Sequence, residues 1–161
     1  MFNYLLTFLA ATIPIIELRG AIPLAIFKFG FSPAKALAVS VLGSIFPVIF
    51  ILIFMDWFSR FLMAKFNFFN KFFNWLFEYT RNKHAKKFNY WGNLALVIIA
   101  ALPMPIAGGA WTASLVAFVF GINKKHAFMS IVVGTIIAGL IITVIVISGE
   151  SLLHFILKFK N

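Results

Sequence analysis

Glu17 and Arg19 stand two positions apart in TIPIIELRGAIPLAIF, residues 12–27, among apolar neighbours and between Pro14 and Pro23. A charge at a bilayer centre costs about 2.5–3.5 kcal/mol on insertion scales, so these groups must pair or face a wet cavity if the stretch lies in lipid. The chemistry open to them is proton uptake and release by Glu17 and capture of an anionic group by Arg19. Burial disfavours the charged carboxylate and a nearby guanidinium favours it, so drawing Arg19 toward a ligand would change proton occupancy at Glu17. At i and i+2 the two side chains do not face each other on an ideal helix, which leaves each free to address a ligand or another segment. The competing role is a structural ion pair that fixes the local chain.

A second candidate cluster is PMPIAGGAWT, residues 103–112. Pro103 and Pro105 break a helix, Gly108 and Gly109 let backbone approach a ligand, and Thr112 offers a hydroxyl. Trp111 either closes a cavity or packs between helices. The expected substrate- and ion-binding set is therefore Glu17, Arg19, Pro14, Pro23, Pro103, Pro105, Gly108, Gly109, Trp111 and Thr112.

Enzymatic chemistries find less support. The chain has no cysteine, which excludes thiol catalysis and thiolate metal sites. His84, His126 and His154 have no i, i+4 partner and no carboxylate cluster nearby, so no metal site is expected. Ser40, Ser44, Ser114 and Ser130 have no Gly-x-Ser-x-Gly context, and phosphate-loop and dinucleotide fingerprints are missing. The expectation is a protein that is not an enzyme and uses no cofactor.

The elements that would hold the charged pair follow from composition. Of 161 residues 63% are hydrophobic and 11% charged, against roughly 25% charged in a soluble domain. This predicts an all-α integral membrane protein, a single membrane domain over 1–161. The net charge of +10 is assigned to anionic lipid headgroups rather than nucleic acid, because the basic residues flank apolar segments. The 20 uncharged residues 36–55 and the 23 residues 127–149 each suffice to cross a hydrocarbon core of about 30 Å. The 36 uncharged residues 88–123 are too many for one crossing and too few for two. Broken at 103–109, they read as a re-entrant hairpin, and so does 2–29, with its tip between Pro14 and Pro23. A single kinked helix through 4–27 is the competing form, since Pro is tolerated in membrane helices.

Laying residues 10–45 on 101–136 without a gap gives identities that include Pro14/Pro105, Gly30/Gly121 and Gly43/Gly134. The implied unit is re-entrant hairpin plus transmembrane helix, repeat 1 over about 2–56 and repeat 2 over about 92–150, with a tail at 151–161. A hairpin returns to its own side, so each unit crosses once and the two repeats are inverted. The connector, 57–91, places polar residues at three- and four-residue intervals among Phe and Trp, an amphipathic interfacial helix. Lys and Arg are concentrated on its side, which puts it in the cytoplasm. Two spans and two partial ones bury little area, so a homodimer is expected, with Gly43, Gly134, Ala138 and Gly139 at close helix contacts.

The run E-L-R-G-A-I-P at 17–23, followed one repeat later by Pro-x-Pro, glycine and Trp-Thr at 103–112, resembles the prokaryotic putative small multidrug export protein family, itself distantly similar to the DedA superfamily. The resemblance spans nearly the whole chain. It implies an inverted-repeat transporter with facing re-entrant hairpins and, on the DedA side, translocation of polyprenyl phosphate or phospholipid coupled to an ion gradient. The resulting expectation is a multi-pass protein of the cytoplasmic membrane, proton coupled, moving a lipid-linked phosphate, a phospholipid or a small amphiphile. A passive scramblase or channel and a structural membrane protein without transport are the alternatives.

Overall fold

The computed structural model describes residues 1–102 and 109–160, and every regular element among them is helical. Proline and glycine decide where the first helices stop. Helix α1 (Phe2–Thr12) ends at Ile13, which leaves the helix at φ −76°, ψ 127°, the extended conformation imposed on a residue that precedes proline. Residues 13–16 form the break, and α2 (Glu17–Pro23) follows. Pro23 has no N–H to give the carbonyl of Arg19 four residues back. The chain accommodates it by widening into a π-type turn, Leu24–Lys28, before Gly30 stops it at φ +65°. Helix α1 lies against α2, and the far ends of the two arms return to each other, with the Tyr4 ring 4.4 Å from that of Phe31.

The expected tip between Pro14 and Pro23 is thus shorter than its prolines suggest. Glu17 and Arg19 lie in the first turn of α2, and Pro23 lies inside the helical segment rather than at its edge.

Both expected spans fall within helices long and apolar enough to cross a membrane. Helix α3 (Pro33–Lys65) contains the apolar segment Pro33–Met55, mean hydropathy 2.7, and α6 (Lys124–Lys160) contains Lys124–Gly149, mean hydropathy 2.8. At 1.5 Å per residue both segments exceed about 30 Å. Between them α3 runs on to Lys65, Phe66 is extended at φ −134°, ψ 119°, and α4 occupies Asn67–Ala101. The interfacial stretch expected at 57–91 is therefore shared between the end of α3 and most of α4, not a helix of its own. No proline and only Gly92 interrupts 67–101, so nothing stops the helix where the polar stripe gives way to the apolar arm. Helix α5 (Ala110–Phe120) ends at Gly121, φ +67°.

The helices form two compact units. Residues 1–44 and 136–161 make the first, with α1, α2, the start of α3 and the end of α6. Its buried positions are mostly small: Ala11, Ala21, Ala25 and Ala36 are fully enclosed, which lets helix backbones approach closely. A Cβ on Gly43 of α3 would collide with the carbonyl of Phe8 and stand 2.8 Å from the Ala11 Cβ. A Cβ on Gly139 would meet Leu37 at 2.5 Å.

Residues 45–135 make the second unit, whose core joins Val48 and Leu52 of α3, Leu96 and Ala100 of α4, Ala113 and Ala117 of α5, and Ile131 of α6. A Cβ on Gly134 would stand 2.5 Å from the Val97 carbonyl and 2.6 Å from the Ala100 Cβ. Gly43, Gly134 and Gly139, expected at close helix contacts in a dimer, make those contacts inside the chain.

Candidate functional site

The site at the start of α2 is built by the break that precedes it. Pro14 prevents α1 from continuing, and the carbonyls stranded at the helix end find new donors. The Ser44 hydroxyl donates to the Ala11 carbonyl at 3.3 Å, and the Ile16 and Glu17 amides both donate to the Ile13 carbonyl, at 3.2 and 2.9 Å. In α3, Pro47 removes the donor that the Gly43 carbonyl would otherwise receive, and the Thr12 hydroxyl, shared with the Phe8 carbonyl at 3.0 Å, lies 3.2 Å from it. A stranded carbonyl in an apolar setting costs about 1–3 kcal/mol, so these two hydroxyls hold the break against α3.

Glu17 emerges from that break with φ +44°, the only non-glycine residue with positive φ among those described, and with 5% of its surface exposed. A left-handed backbone costs a side-chain-bearing residue roughly 1–2 kcal/mol. Strained backbone of this kind clusters at functional sites in proteins. Leu18 is buried beside it and reaches toward α6, its Cδ1 3.9 Å from where a Gly139 Cβ would be. Arg19 is half-buried, more open than Glu17. Ala21 and Ile22 are fully buried and lock the helix that carries the pair. Pro14, Glu17, Arg19 and Pro23 thus share one short helix–break–helix segment, with Pro14 exposed and Pro23 half-buried.

The second expected cluster is placed in part. Gly109 takes φ +94°, ψ 176°, a conformation open in practice only to glycine, and caps the start of α5. Its amide donates to the Ile99 carbonyl of α4 at 2.9 Å, tying the two arms together. Trp111 and Thr112 are half-buried in the first turn of α5. Pro103, Pro105 and Gly108 lie outside the described residues.

Sequence reasoning missed Thr12 and Ser44, which position the break. The available signal was Pro47 four residues after Gly43. It also passed over Ser40, which is fully buried with an unpartnered hydroxyl among the described residues, one turn before Ser44 on α3. Of the other buried hydroxyls, those of Thr7, Ser114, Thr135 and Thr143 each return to the carbonyl four residues back, at 2.6–2.9 Å.

The family model described as putative small multi-drug export protein matches residues 17–141, from Glu17 through both glycine-capped arms into α6. No curated protein and no solved structure matches the chain.

Proposed function

Since the chain belongs to the putative small multi-drug export protein family, we propose that it is a proton-coupled transporter of the cytoplasmic membrane whose coupling group is Glu17 and whose substrate-binding cation is Arg19. The observation that carries this reading is the Glu17 backbone: a carboxylate 5% exposed, at φ +44°, where the chain leaves the break and α2 begins. The left-handed backbone costs stability, and transport gives the buried carboxylate a use.

The substrate class in this reading is a lipid-linked phosphate, a phospholipid or a small amphiphile. Arg19 supports it through its charge and partial exposure. The segments 2–29 and 92–122 would enter the membrane from opposite faces as re-entrant hairpins and bring their tips together near the midplane, as in inverted-repeat transporters. Local geometry supports an internal repeat. Gly30 and Gly121 take nearly the same positive φ, +65° and +67°, at matching positions, and Gly43 and Gly134 each meet a carbonyl and an alanine Cβ three residues apart on the arm before them.

When an anionic headgroup draws Arg19 away, Glu17 loses its counter-charge and takes up a proton, so substrate and proton bind together and move the same way. A cationic substrate would compete with the proton and produce exchange. The test uses the full chain in liposomes with an imposed pH gradient, with fluorescent phosphatidic acid and ethidium as probes. Glu17→Gln imitates the protonated state and should abolish gradient-driven redistribution of either probe while the chain stays folded. Undiminished gradient-driven movement in this variant would overturn the proposed role.

A further inference from the structure

The second unit carries two adjoining cavities that the charged pair does not use. One, of about 340 Å³, is lined by Ile49, Leu52 and Ile53 of α3 and Phe128 of α6, with Lys124 and Lys125 at its rim. The other, of about 310 Å³, shares Leu52 and Lys124 with the first and adds Gly121, Ile122 and Asn123 from the turn between α5 and α6. An apolar trough therefore adjoins a pocket of mixed lining, to which Asn123 and Lys124 bring polar groups, and Lys124 lines both. From these cavities we infer a binding site for one anionic phospholipid, with an acyl chain along Ile49, Ile53 and Phe128 and its phosphate against Lys124 and Lys125.

Three features of the place select this occupant. Lys124 begins the apolar segment Lys124–Gly149, so the lysines sit at the end of a candidate span, the depth of a lipid headgroup. The amides of Lys125 and Ala127 are already taken by the side chain and the carbonyl of Asn123, at 3.0 and 2.8 Å, and the positive charge at the site comes from the two lysine ammonium groups. Their charge complements an anionic headgroup, and basic pockets between membrane helices hold such lipids through this pairing. A soluble anion would satisfy the lysines and leave the trough empty. A zwitterionic lipid would fill the trough and gain little from the charges.

This site is independent of the transport reading, and its test does not depend on transport. The full chain is extracted in mild detergent from vesicles of equal parts phosphatidylglycerol and phosphatidylcholine, and retained lipid is counted by native mass spectrometry. The wild type should keep one phosphatidylglycerol per chain in preference to phosphatidylcholine. At about 1 kcal/mol per lysine near the surface, Lys124→Gln with Lys125→Gln should lower that preference roughly 30-fold. Lys124→Arg with Lys125→Arg should preserve it, as should Lys28→Gln with Lys35→Gln. Equal retention of both lipids by the wild type would overturn the site. So would an unchanged preference in the double Gln variant, an equal loss in the Lys28 and Lys35 pair, or displacement of the lipid by millimolar inorganic phosphate.

Discussion

Glu17 and Arg19 differ in what each asks of its surroundings. Glu17 is enclosed on strained backbone, whereas Arg19 is half-buried on regular helix. Removing the guanidinium should therefore leave the fold intact and change substrate charge preference. Arg19→Ala should raise the half-saturating concentration of a phosphatidic-acid probe about tenfold, the loss of one charge-assisted hydrogen bond, and leave that of ethidium within about twofold. Equal losses for both probes would refute a headgroup role. The backbone of Glu17 has its own test. Glu17→Gly relieves a left-handed conformation and Glu17→Gln keeps it, so thermal unfolding should find the Gly variant more stable than the Gln variant by about 1 kcal/mol. The pair was legible in sequence because a carboxylate in an apolar run is costly wherever the run folds. Its left-handed φ was not, because that depends on how the chain leaves Pro14.

At the scale of elements, glycines set how closely helices approach. Gly43 and Gly134 accept no Cβ without moving backbone, whereas Gly149 faces open space within α6. Gly43→Ala and Gly134→Ala should each cost about 1–3 kcal/mol, the usual penalty of overpacking. Gly149→Ala should be neutral or stabilising by up to about 1 kcal/mol through helix propensity. Unfolding midpoints of the detergent-solubilised chain separate these outcomes, and a destabilised Gly149→Ala would show that the packing argument is misplaced. The two candidate spans were readable from charge spacing alone, since Lys35 and Asp56, and His126 and Glu150, bound runs of the required length. The fate of 57–91 was not. Its polar stripe says which face is wet but not where the helix stops, and α4 continues through it to Ala101.

For the whole molecule the decisive quantity is the number of crossings. If 92–122 returns to the side it came from, Ser32 and His126 lie on opposite faces of the membrane. If it crosses once, they share a face. The absence of cysteine makes single substitutions clean reporters. Ser32→Cys and His126→Cys, both at exposed positions, should label with an impermeant maleimide from opposite sides of intact cells or oriented vesicles. Labelling from the same side would remove the inverted arrangement and, with it, the facing tips.

Hydropathy and charge spacing pointed by themselves to a helical membrane chain, to residues 36–55 and 127–149 as its candidate spans, and to Glu17 and Arg19 as its anomaly. Those conclusions depend on local free energies of transfer, which each residue carries into any fold. Tertiary structure decided the rest. The break between α1 and α2 is held by Ser44 and Thr12 reaching carbonyls more than thirty residues away in sequence, and Gly139 leaves room for Leu37 and Leu18. Contacts of that kind depend on which helices come together, and no periodicity along the chain encodes them.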